Sequence, residues 1–116
     1  MTFIEKRRSP RVPVSMNVQE SEIFKTLGFG YARDISERGL AVDAEALVDE
    51  ESVPNVGTEL RMRFKLPKSH FVITARGKVV RVDRETKAPR IALEFTELAN
   101  EFRTEIRNFV KSTQPI

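Results

Sequence analysis

Residues 12–18 read Val-Pro-Val-Ser-Met-Asn-Val, and their alternation has no fault. Val12, Val14, Met16 and Val18 fall on one face, with Pro13, Ser15 and Asn17 on the other. This period-two pattern predicts a strand with one buried side. Pro13 has no N–H to give to a ladder, so it belongs at a strand start or on an edge. Downstream, Leu60, Met62, Phe64 and Leu66 alternate with Arg61, Arg63 and Lys65, and Ile91, Leu93 and Phe95 alternate with Ala92 and Glu94. Residues 28–35 (GFGYARDI) place Phe29, Tyr31 and Ile35 on one face, and Leu40 and Val42 continue beyond a turn at Ser36–Gly39.

The stretch 70–82 carries Phe71, Ile73 and Ala75 on one phase and Val80 and Val82 on the other, with Gly77 between them. A phase change beside a glycine predicts a bulge or bend. Turn signals at Pro54–Gly57, Leu66–Ser69 and 83–90 separate these runs. About six strands joined by short turns read as an antiparallel barrel or sandwich. The ending has a different period. Leu98, Phe102, Ile106, Phe109 and Val110 recur at helical spacing opposite Glu101, Arg103, Glu105, Arg107 and Lys111. They predict an amphipathic helix over about 99–112, with Asn100 as a candidate cap. Its apolar face is expected to cover an open side of the β structure rather than to dock a partner, because a small domain needs all its apolar surface. A short helix at Ala44–Val48 is the weakest of these readings.

At 116 residues, 40% hydrophobic and 32% charged, the chain suits one globular domain. It has no cysteine and no tryptophan, and His70 is its single histidine. Disulfides, thiolate metal sites and cysteine nucleophiles are therefore excluded. No apolar run is long enough to span a bilayer, and no secretory signal follows the basic start. With zero cysteines this favours a cytoplasmic location.

The net charge is +3, too small by itself to name an anionic partner. Its distribution says more. Residues 6–11 (KRRSPR) hold four cations and no anion, and residues 43–51 (DAEALVDEE) hold five acids and no cation. The first eleven residues read as a flexible basic arm preceding a domain over 12–116, and the acids read as solvated loop charge. No GxxxxGK, GxGxxG, HExxH or CxxC pattern is present, and an enzyme reading has no supporting residues.

Two segments carry chemistry. One is Arg7-Arg8-Ser9-Pro10-Arg11, with RxxxR spacing; the other is Asp34-Ile35-Ser36-Glu37-Arg38-Gly39, with DxSxxG spacing. Either alone is ordinary: basic tails are commonly solvated, and DxSxxG makes an Asx or Ser turn between strands. Strand pairing across the intervening 12–33 can bring them together. Guanidinium groups hold phosphate bidentately and can bond guanine O6 and N7. A carboxylate at Asp34 can accept from the guanine N1–H and amine edge, Ser36 offers a hydroxyl, and Gly39 permits a positive φ. Together they describe a guanine-nucleotide site without catalytic machinery.

The two motifs, in this order on a β framework, resemble the PilZ domains, whose pattern is RxxxR followed by (D/N)xSxxG. Arg7, Arg11, Asp34, Ser36 and Gly39 satisfy it. Gly57–Pro67, Gly77–Arg81 and Ile91–Leu98 with the following helix resemble later parts of the same family, so the likeness covers nearly the whole chain. It implies a six-stranded antiparallel β-barrel with a C-terminal α-helix packed on it, and a bacterial receptor for cyclic di-GMP. In that reading Arg7 and Arg11 clamp guanine and phosphate, Asp34 reads a guanine edge, Ser36 binds phosphate or base, and Gly39 keeps the turn open. Arg8 is a further contact. Lys6 adds a cation that favours two intercalated ligand molecules over one, and Arg81 and Lys78 lie on a strand that could border the site.

The implied protein is an adaptor. Ligand orders the arm and creates a surface for a downstream protein in motility, exopolysaccharide or virulence control, with no resident cofactor, metal or membrane insertion. Two rivals are a PilZ-like interaction module without ligand and a basic barrel binding nucleic acid through its arm and Arg61, Arg63 and Lys65. The strand cations are more simply its solvated side. One departure stands out: Ala99-Asn100-Glu101-Phe102 replaces the Ser or Pro with acids that often opens the family's helix, and puts Phe102 in the first turn either as core or as a partner contact.

Overall fold

The alternation at 12–18 becomes β1 (Val12–Glu20), the first strand of a closed antiparallel barrel. The others are β2 (Gly28–Ile35), β3 (Gly39–Asp43), β4 (Glu59–Phe64), β5 (Ile73–Asp83) and β6 (Arg90–Leu98), followed by α1 (Asn100–Thr113). The computed structural model describes residues 10–20, 28–44, 53–84 and 88–113. Around the barrel the order is β1-β2-β3-β6-β5-β4, closed by pairing of β4 with β1. The alternative of a sandwich is thereby removed. The arm residues Lys6, Arg7 and Arg8, the Phe29 side chain and most of the short helix expected at Ala44–Val48 lie outside the described residues.

Inward side chains of the six strands meet those of the helix in one apolar core. Val12, Val18, Ile35, Leu40, Val42, Met62, Ile73, Val79, Ile91 and Leu93 are essentially inaccessible, and Ile106 and Val110 of α1 join them. Phe95 stacks near Phe64, ring centroids 6.3 Å apart. The helix face thus covers the barrel, as its periodicity required. Phe102 and Phe109 are half-buried against the same core. The cap differs from expectation: the Ala99 carbonyl accepts from the N–H groups of Phe102 (3.0 Å) and Arg103 (2.9 Å), so Ala99 holds the N-cap position and Asn100 is the first helical residue. No described helix is long and apolar enough to cross a membrane.

Three irregularities depart from simple alternation. Pro13 sits at the start of β1, at a register shift between Pro13 and Met16 and before the segment that pairs with β4, where its missing N–H is tolerated. In β2, Ala32 pairs with Val42 and Asp34 with Ala41, leaving Arg33 as an extra residue. The bulge puts Ala32 and Ile35 inside and leaves Tyr31 exposed, so Tyr31 does not share the inner face with Ile35. In β5, Ile73, Ala75, Gly77 and Val79 keep one inward phase, and Val80 is the extra residue beside Val79 and Arg81. Val80 is therefore exposed, as is Phe71, which precedes the strand. A shift does occur at Gly77, but β6 contributes its extra residue, Thr96.

Gly39 allows β3 to lie against β6. A Cβ there would come 2.0 Å from the Leu93 carbonyl oxygen. We expect Gly39→Ala to lower unfolding free energy by about 3 kcal/mol, the cost of forcing overpacked backbone apart. Gly57→Ala, at φ 98° with nothing within 4 Å of the new methyl, should cost about 1 kcal/mol for its left-handed backbone alone. Urea denaturation of both variants tests this contrast, and equal losses would contradict it.

Candidate functional site

Sheet register carries the two motifs into one place. Asp34 of β2 lies opposite Pro13 of β1 on one side and Ala41 of β3 on the other. Ala41 lies opposite Ala92 of β6, and Ala92 opposite Arg81 of β5. Pro13, Asp34, Ala41, Ala92 and Arg81 thus form a row across five strands on the outer surface. Directly paired residues project to the same face of a sheet. The row is a floor of two alanines, Ala41 buried and Ala92 half-buried, with Asp34 towards one margin and Arg81 towards the other.

Arg11, just before β1, donates from Nη1 to Asp34 Oδ1 at 2.5 Å. Both side chains remain reachable from solvent, at 40% and 36% exposure. The second arginine of RxxxR and the carboxylate of DxSxxG are therefore brought together. One guanidinium N–H is engaged in this bond, and a guanidinium has five to offer.

The bulge at Arg33 turns Arg33 and Asp34 both towards the outer surface, and Arg33 reaches Asp43 at the end of β3. Arg33 Nε donates to Asp43 Oδ2 (2.6 Å), and Arg90 Nε of β6 donates to Oδ1 (2.8 Å). Asp43 is only 7% exposed. Burial alone would raise its pKa, but hydrogen bonds from Arg90 and Arg33 and their positive charges overcome this and hold the carboxyl below its ordinary value. Arg90 is correspondingly raised by its bond to Asp43 and that carboxylate's charge, with smaller contributions from Asp83 and Asp34. Asp43 is thus not one of the solvated loop acids that its neighbourhood in the sequence suggested.

The turn between β2 and β3 is held from within. Ser36 N–H donates to the Gly39 carbonyl (2.8 Å), and the Ser36 hydroxyl accepts from Arg38 N–H (3.1 Å). Ser36 is 1% exposed, so its position here is that of a turn-forming side chain. Gly39 does not have the positive φ expected of it; among the described glycines that belongs to Gly57. Its missing side chain serves the close approach to β6 instead. The Arg38 carbonyl accepts from Phe95 N–H (2.7 Å), which ties the turn to β6.

Between Ser36 and Gly39, Glu37 points to the helix. Arg107 grips its carboxylate twice, Nε to Oε2 at 3.1 Å and Nη2 to Oε1 at 3.2 Å, and Arg103 Nη1 donates to its carbonyl at 3.3 Å. The hydrogen bond to Glu37 and the charge of that carboxylate raise the Arg107 pKa. The motif turn and α1 are therefore joined by a fork-to-fork contact, which sequence reading did not find. Its partners are 70 residues apart, and no local pattern marks such a pair. The Asp43–Arg90 pair, 47 residues apart, was missed for the same reason, and the Arg33–Asp43 pair because it depends on the bulge at Arg33. Lys78, expected near the border, faces Glu94 in the ladder rather than the alanine row. Lys6, Arg7 and Arg8 lie outside the described residues, so of the arginine motif only Arg11 is placed.

A closed six-stranded barrel capped by one helix, with arginines and carboxylates gathered on the outer face of β2, β3 and β6, defines a class of small binding barrels. The chain belongs to the PilZ domain family, whose model matches residues 5–112. No curated protein matches it in sequence. Its fold is similar to that of Bacillus subtilis MotI/DgrA, described as an inhibitor of motility, at a TM-score of 0.78 and 21% identity, covering 97% of this chain and 53% of that one. It is also similar to Escherichia coli YcgR in complex with c-di-GMP, at 0.71 and 14%, covering 95% and 46%. The isolated PilZ domain of YcgR with c-di-GMP matches at 0.71 and 14%, covering 94% and 92%. The chain thus spans about half the length of MotI and of whole YcgR.

Two outcomes follow from the charged contacts. Asp43→Asn should cost about 1–2 kcal/mol at neutral pH, the worth of a buried charge-assisted contact whose arginines can rehydrate. Because the folded pKa of Asp43 is depressed, its contribution is present above the unfolded value and lost as pH falls below about 4. Thermal midpoints of wild type and variant should therefore converge on acidification, and a constant gap would argue against the assignment. Glu37→Ala should quicken amide hydrogen exchange through α1 while leaving β4 and β5 protected; unchanged exchange in α1 would show that the clamp does not hold the helix.

Proposed function

We propose that this chain is a cyclic di-GMP receptor that acts as an adaptor, a binding module and not an enzyme. The observation that carries the reading is the Arg11–Asp34 pair, which joins the RxxxR and DxSxxG motifs beside the Ala41–Ala92 floor. Membership of the PilZ family and likeness to a c-di-GMP complex of YcgR support it.

The chemistry of the site suits a flat dianion. Arg11 keeps donors for a phosphate or for guanine O6 and N7, and Asp34 is an acceptor for the N1–H and amine edge. The two small side chains of the floor let a planar base lie close to the sheet. Arg81 borders the floor from β5 and supplies a cation at its far margin. Arg33 and Arg90, held by Asp43, add positive potential at the end of β3 without leaving their own partner.

Arg7 and Arg8, with Lys6, complete the site from the arm, and ligand binding draws that arm over the barrel. Ser36, buried, contributes through the turn it builds. Arm and ligand then form a surface that a downstream protein reads. The description of MotI as an inhibitor of motility supports motility as the output controlled. A bacterial, cytoplasmic setting belongs to the same reading, and no resident cofactor is needed for it.

Calorimetric titration tests the proposal. Wild type should bind cyclic di-GMP with micromolar or tighter affinity, give the stoichiometry directly and show no heat with GTP. Arg11→Ala should weaken binding by about tenfold or more, as loss of a bidentate contact of about 1–3 kcal/mol requires. Absence of heat and of any thermal shift at high ligand would refute the receptor reading and leave a protein-interaction module in its place.

A further inference from the structure

A concave surface with its own cluster of arginines lies elsewhere on the barrel. The outer residues of β4 and β5 and the first turn of α1 enclose a groove of about 760 Å³, lined by Arg61, Arg63, Val72, Arg76 and Phe102 among others. It shares no lining residue with the alanine row, and none of its arginines belongs to the motifs. Arg61 and Arg76 are directly opposite each other in the ladder. Like charges in that position oppose strand pairing, and Arg76 is only loosely balanced by Glu59 (3.8 Å) and Glu97 (3.5 Å), both largely in solvent.

Apolar surface accompanies the charge. Val72 is 47% exposed and its neighbour Phe71 is 53% exposed, while Phe102 lines the groove from the helix. Guanidinium forks around an apolar strip match a chain that offers carboxylates beside an apolar side chain. A nucleic-acid backbone fits less well, because its phosphates bring no apolar side chain to the strip at Val72 and Phe102.

We propose that this groove is the docking site for an acidic peptide segment of a partner protein, whose carboxylates engage Arg61, Arg63 and Arg76 and whose apolar side chain packs on Val72 and Phe102. The assignment goes beyond the nucleotide site and does not depend on it.

The test uses the full chain, labelled for nuclear magnetic resonance, and a short synthetic peptide in which Asp and Glu flank a central Leu-Phe pair. Saturable shifts confined to β4, β5 and the first turn of α1 are expected. Binding should be about tenfold weaker in Arg63→Glu, the loss of a charge-assisted contact, and weakened also in Val72→Asp, whose exposed position leaves folding intact. Shifts centred on β2 and β3, binding unchanged in both variants, or tighter binding of an oligothymidylate of matched charge at this groove would overturn the proposal. Calorimetry of cyclic di-GMP on Arg63→Glu separates the two sites, because the nucleotide reading predicts wild-type affinity there whatever the peptide does.

Discussion

The absence of a side chain at Gly39 governs how the barrel and its charged face are assembled. The backbone of β3 approaches the Leu93 carbonyl so closely that a methyl group would overlap it. That approach sets the ladder between β3 and β6, and through it the alignment of Asp34, Ala41 and Ala92. It also seats the turn before β3, whose Arg38 carbonyl bonds to Phe95 N–H and whose Glu37 is delivered to the helix. A glycine usually discussed in terms of backbone freedom acts here through steric room.

On the face built on this seam Arg11, Arg33 and Arg90 each have a carboxylate partner, but the three cations share two acids. Arg11 is neutralised by Asp34, and Arg33 and Arg90 share Asp43. The two sets differ in character. Arg11 and Asp34 are both accessible, and such pairs are worth little in water, so exchanging one partner for a ligand costs little. Asp43 is buried, and its arginines are fixed in place by it. One pair is thus suited to rearrange and the other to hold its geometry, within a few residues of each other.

Strand alternation was legible where the inward phase of the apolar residues runs unbroken, even in strands that carry a register shift. β1, β4 and β6 have the inner faces their sequences announce, and the period of the last segment correctly gives a helix that covers the core. Reading failed at β2 and at the end of β5, where Arg33 and Val80 are extra residues. A bulge is fixed by two neighbouring strands at once, and nothing in the local pattern of either strand records it. Electrostatic partners were illegible for a related reason. Asp43 looks like the first of a run of loop acids until Arg90, 47 residues away, is placed opposite it. The two motifs were legible because spacing along the chain, not distance in the fold, defines them. The reason for Gly39 was not, since it lies in the carbonyl of another strand.

Every strand of this barrel has a neighbour on both sides. Along their paired registers the described strands keep their backbone donors and acceptors within the barrel, which confines the route by which chains recruit one another through added strands to stretches such as the first half of β1, before its pairing with β4 begins at Val18. Over the rest of the described barrel, recognition falls to side chains gathered from distant parts of the sequence. Its interfaces can consequently diverge by surface substitution while the framework beneath them stays the same.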